Sequence, residues 1–156
     1  GVETVKKRII VITVILCMVA GFLYLQYGRD VKVISTMNTA SGNFYEMDLT
    51  VAANRLFIMD QEKFAEELID RCIANDFHEV EFSYDVMGYP NRLWVKVYFN
   101  ETSNRHFTIY YDVNEGKRFD YNIKDNPEIF ESMLIRNDLI MLKCYYLDGV
   151  ENGFFY

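Results

Sequence analysis

The residues that could do chemistry are few, and their spacing is more informative than their number. His78 and His106 are the only two histidines, and Cys17, Cys72 and Cys144 are the three cysteines. A zinc site needs three or four nitrogen, sulfur or oxygen ligands at close spacing. Neither histidine has a cysteine or a second histidine near it, so the pattern predicts surface histidines and neither metal nor cofactor. Asp112-x-Asn114-x-Gly116 opens like a calcium loop, but Lys117 and Ile123 stand where that loop requires its glycine and its final glutamate. A hairpin turn at Asn114-Glu115-Gly116 is the better reading. The chain has no G-x-S-x-G elbow, no glycine-rich phosphate loop and no cysteine with a histidine partner. Asn100-Glu101-Thr102 matches a glycosylation acceptor, a triplet that arises often by chance.

Two constellations remain. Asp85 and Asp112 fall on the two predicted strands that flank the one carrying Trp94, near that patch, and paired carboxylates could in principle cleave a polymer, the basis of an envelope-hydrolase alternative. Trp94, Lys96, Tyr98 and Tyr110 fall on the outward positions of two adjacent predicted strands. Aromatic side chains on an outward sheet face commonly mark a contact surface, because they present large rigid area with a polar handle. These four are the candidate partner-binding residues.

Period-two alternation defines the strands that must carry this patch. Tyr45, Met47, Leu49 and Val51 make one inward set. Val80, Phe82, Tyr84 and Val86; Leu93, Val95, Val97 and Phe99; and Phe107, Ile109, Tyr111 and Val113 make three more. A further strand from Lys117 to Ile123 would turn Phe119, Tyr121 and Ile123 inward. Turn-forming stretches separate the last four sets, so an antiparallel four-stranded meander is the economical topology. Val31 to Met37 reads as a short strand, followed by a turn from Asn38 to Asn43. Residues 52–59 could extend a strand or lead into a helix.

Between these strands, Phe64, Ala65, Leu68, Ile69, Cys72 and Ile73 recur at helical spacing. The pattern predicts a helix over Gln61 to Asn75 capped by Asp60 and packed on the sheet. Asp125-Asn126-Pro127 resembles a helix start, with Ile129, Phe130, Met133 and Leu134 on one side. Leu139 to Leu147 could be strand or helix. The aromatic end Gly153-Phe154-Phe155-Tyr156 is expected to tuck against the domain. The fold class is therefore α+β, with an antiparallel sheet packed against one amphipathic helix.

Location follows from Ile9 to Tyr27, a run with no charged residue directly after Lys6, Lys7 and Arg8. As a helix it spans nearly 30 Å, the thickness of a bilayer's hydrocarbon layer. A signal peptide would turn polar after a small-x-small site. Here Val19-Ala20-Gly21 is followed by Phe22, Leu23, Tyr24 and Leu25, so an uncleaved single-pass anchor is expected. The basic residues ahead of the run predict a short cytoplasmic tail (residues 1–8), a transmembrane anchor (9–27) and an extracytoplasmic domain (28–156), with Tyr24 and Tyr27 at the outer interface.

The first 27 residues hold Lys6, Lys7 and Arg8 against Glu3, so the chain's net charge of −7 becomes −9 for the remainder. Such an acidic domain disfavours nucleic acid and anionic headgroups. So few cysteines favour buried free thiols at Cys72 and Cys144 over a bridge between them. The expected function is a non-enzymatic, membrane-anchored domain that binds a protein partner in an envelope or secretion assembly. Its alternative is a small-ligand domain with a pocket between helix and sheet, lined by Phe64 and Leu68.

Overall fold

The apolar run is helical along its whole length. In the computed structural model, which describes residues 1–112, 119–127, 131–136 and 139–141, it forms α1, Val2–Tyr27, long and apolar enough to cross a membrane. Every residue of α1 is exposed except Gln26, so the usual pattern is inverted: the apolar side chains face outward and one amide is buried. Gly28 ends the helix, its N–H donating to the Tyr24 carbonyl at 2.8 Å. A Cβ at Gly28 would lie 2.6 Å from Cδ2 of the Tyr24 ring, so close approach requires glycine there.

Gln26 joins α1 to the domain. Its Oε1 accepts from the Leu56 and Phe57 amides at 3.0 and 3.2 Å, and its Nε2 donates to the Phe57 carbonyl at 2.8 Å. The Phe22 and Phe57 rings stand 6.0 Å apart beside this clamp. Just past the helix, Arg71 grips both carboxylate oxygens of Asp30 at 2.7 and 3.0 Å, and the Asn54 amide donates to the Asp30 carbonyl at 2.8 Å. That guanidinium holds the Asp30 carboxyl below its ordinary value.

The strands are β1, Lys32–Ser41, β2, Phe44–Ala52, β3, Arg92–Tyr98, β4, His106–Tyr111, β5, Glu131–Arg136, and β6, Leu139–Met141. Among the described residues they lie in the order β1-β2-β3-β4-β5-β6. The sheet is mixed: β2 and β3 run parallel, from Glu46 opposite Arg92 to Ala52 opposite Tyr98, and the other pairs are antiparallel. The crossover between the parallel strands contains α2, Gln61–Ala74, the long connection that parallel neighbours need. Asp60 caps α2 through the Lys63 amide at 2.9 Å.

One face of the sheet and the stripe of α2 form the core. Met47, Leu49, Val51, Leu93, Val95, Val97, Phe107, Ile109 and Tyr111 pack with Phe64, Ala65, Leu68, Ile69 and Cys72. The fully buried Cys72 is a free thiol, and burial pushes it up to about 12. Cys144, the turn at Asn114-Glu115-Gly116 and the aromatic end lie outside the described residues.

The antiparallel meander predicted from alternation is corrected in three places. Residues 80–83 pair with no strand, and Tyr84–Met87 form the short helix α3. The cause is Asn75, which caps α2 in the left-handed region (φ 56°), where asparagine is tolerated. Its side-chain amide exchanges two 2.8 Å hydrogen bonds with the N–H and C=O of Phe82. Phe82 therefore has its strand partner in a side chain.

Of the strand expected over Lys117 to Ile123, described residues 119–123 are non-strand. Phe119 is exposed, and Asn122 turns the chain by accepting from the Lys124 and Asp125 amides at 3.0 Å each. Beside β4 lies β5 instead, so Met133 and Leu134, expected in a helix, are strand residues. A smaller difference concerns Asn38 to Ser41. These stay in β1 because Gly42 (φ +59°) makes a tight turn that pairs Ser41 with Phe44.

Two substitutions test these ties. Asn75→Gly keeps the left-handed cap but loses both bonds to Phe82, and is expected to lower stability by about 1–3 kcal/mol in urea denaturation. Gln26→Met should leave α1 helical while the Leu56 and Phe57 amides exchange with deuterium at least tenfold faster, read by hydrogen-exchange mass spectrometry.

Candidate functional site

Alternation along β3 sends Leu93, Val95 and Val97 into the core and leaves Trp94, Lys96 and Tyr98 half-buried on the opposite face. The register with β4 sets Trp94 opposite Tyr110, Lys96 opposite Thr108 and Tyr98 opposite His106. On the other side β2 sets Asp48 beside Trp94 and Thr50 beside Lys96. All four candidate residues therefore share one face.

Their contacts make a connected aromatic surface. The Trp94 and Tyr110 rings meet edge to face at 4.9 Å, a favoured geometry for opposite ring edges and faces. The Lys96 ammonium lies 5.2 Å from the Tyr98 ring centre, and the His106 ring lies 5.3 Å from Tyr98. Arg92 lies 5.5 Å from the Tyr110 ring centre, within cation–π range.

Arg92 and Glu46 are the site residues that sequence reasoning missed, whereas Asp112 stands near the patch as expected. The guanidinium bridges Glu46 at 2.8 Å and Asp112 at 3.9 Å, and Tyr110 donates to Asp112 at 2.7 Å. Period two could have found Arg92, which precedes Trp94 by two residues on the same face. Burial, followed by the bond donated to Asp112, pushes the Tyr110 hydroxyl up to about 12.

Asp85 is not part of this face. It is exposed on α3, because the strand whose register would have carried it to the sheet does not form. The acids that this face gathers about Arg92 are Glu46 and Asp112. His78 is exposed, and among the described residues no three of His, Cys, Asp and Glu cluster as metal ligands.

Phe64 and Leu68 are 3% and 1% exposed where α2 meets the sheet, so side chains fill that interface. Open volume touching Phe64 lies on the side of α2 toward α1, in a groove of about 360 Å³ formed by Gln26, Tyr27, Arg55, Met59 and Lys63 and in a smaller one of about 150 Å³ that Leu68, Asp30 and Arg71 also line. The Asn100 side chain of the glycosylation triplet accepts from the Thr102 amide and hydroxyl at 3.1 and 2.9 Å, shaping the β3–β4 turn. No family model, curated protein or solved structure matches the chain.

The Tyr110 environment gives a signed pH dependence. Its folded value near 12 exceeds the ordinary 10.0, so folding favours the neutral phenol. That contribution is complete below pH 10 and is lost as pH rises from 10 to 12. Tyr110→Phe should remove this part of the alkaline loss of stability, together with one high-pH component of the tyrosinate absorbance. A double-mutant cycle on Trp94→Ala and Tyr110→Ala should return about 0.5–1.5 kcal/mol of coupling.

Proposed function

We propose that the chain is a membrane-tethered extracytoplasmic domain that performs no catalysis and binds a protein partner through the face carrying Trp94, Lys96, Tyr98 and Tyr110. The observation that carries this reading is the continuity of α1 with the domain. An exposed helix whose apolar run follows Lys6, Lys7 and Arg8 ends in a buried amide clamped to the loop after β2. Apolar surface of that extent is stable against lipid, and the clamp holds the domain close to where the helix leaves it. The basic residues in the first turns of α1, ahead of its apolar run, favour a cytoplasmic N-terminus, which leaves the acidic domain on the other side.

The partner reading rests on the half-buried aromatic face with charges of both signs. Trp94 and Tyr110 stiffen each other, so docking a partner there costs little side-chain entropy. Arg92, Glu46, Asp48 and Lys96 supply the polar complement that orients it.

Photo-crosslinking in intact cells tests both parts. A photoreactive residue replacing Lys96 is expected to capture a defined partner that the same residue replacing exposed Val86 on α3 does not. Trp94→Ala with Tyr98→Ala should abolish that adduct, and an unchanged set of captured proteins rules the face out. Protease added outside the cytoplasmic membrane should digest the domain. Protection there overturns the topology.

A further inference from the structure

The loop between β2 and α2 has an unusual surface. Leu56, Phe57, Ile58 and Met59 form an uncharged stretch at the end of the domain nearest α1, with Met59 90% and Leu56 40% exposed. Leu56 and Met59 face outward and Phe57 is partly exposed between them, while Ile58 packs toward the core, and such clustered apolar exposure is a surface in search of an apolar neighbour. The structure shows how deep that surface lies relative to the helix. Phe57 sits beside Phe22, at 6.0 Å between ring centres, and Gln26 fixes the Phe57 backbone from both sides. Phe22 precedes the last residue of α1 by five positions, about 7 Å along the helix axis. The loop therefore reaches back along α1 rather than standing off its end.

We propose that residues 56–59 are a membrane-inserted loop, with Leu56, Phe57 and Met59 seated in the outer leaflet of the bilayer that α1 crosses. This rests on the anchor reading above. A side chain level with Phe22 lies below the ring of Tyr24 and Tyr27, both exposed on α1 where aromatic belts form. That depth matches the 5–10 Å or so to which amphipathic elements bury their apolar faces at an interface. The flanking residues suit the boundary: Arg55 precedes the stretch, and Asp60 and Lys63 follow it. The domain is thus attached at two places, the helix and the loop, which restricts its swivel about the helix axis.

Depth-dependent fluorescence quenching tests the inference on the full chain in phosphatidylcholine vesicles. In a Trp94→Phe background, single tryptophans are introduced by Met59→Trp, Leu56→Trp, Met18→Trp and Met87→Trp. Met18 lies within α1. Met87 lies just before β3, whose first residue pairs with Glu46 near the start of β2, the end of that strand away from α1.

Lipids brominated near the headgroup end of the acyl chain should quench Met59→Trp and Leu56→Trp several-fold more than Met87→Trp. Lipids brominated near the bilayer centre should quench Met18→Trp most. Quenching of Met18→Trp with both loop reporters as weak as Met87→Trp overturns the inserted loop and leaves the anchor standing. An unquenched Met18→Trp overturns the anchor itself, and the loop proposal with it.

Discussion

One glutamine side chain holds the two halves of this molecule in a fixed relation. Gln26 satisfies two backbone donors and one acceptor of the loop after β2, and each would cost about 1–3 kcal/mol if buried without a partner. Much else follows from that point. The Asp30–Arg71 pair ties the chain just past α1 to the last turn of α2, and β1 begins two residues later. Asp60, at the end of the clamped loop, caps the start of α2. Both ends of α2 are thus referenced to the end of α1, and the sheet packs beneath it.

The elements were legible in the sequence where periodicity reports burial directly. The inward sets of β2, β3 and β4 were, and so were the stripe and cap of α2. The shared face of Trp94, Lys96, Tyr98 and Tyr110 was legible for the same reason, because alternation decides a face whichever strand lies alongside. Strand pairing was not legible. Val80, Phe82 and Tyr84 alternate as a strand should, and Phe82 is buried, yet its backbone is satisfied by Asn75 rather than by a ladder. Alternation records which side chains are covered and is silent on what bonds the backbone.

The clamp and the Arg92 bridge were hidden for different reasons. A lone glutamine near the end of an apolar run looks like a tolerated polar residue, and only the fold shows three backbone groups converging on it. Arg92 stood in plain sight on the outward register. Its role depends on β2 running beside β3, which brings Glu46 within 2.8 Å, and an antiparallel meander had put a different strand there.

That parallel pairing also dictates the order in which the chain can assemble. The β1–β2 hairpin closes around a two-residue turn, and α2 is local, so both can form as soon as their residues are free. The contact between Glu46 and Arg92 spans 46 positions, and every residue between them must be in place first. Joining β2 to β3 thus carries a larger loop-closure cost than the hairpin, and until it occurs the edge of β2 that faces β3 stays unpaired. A nascent chain emerging from its N-terminus passes through that vulnerable stage before its central sheet can close.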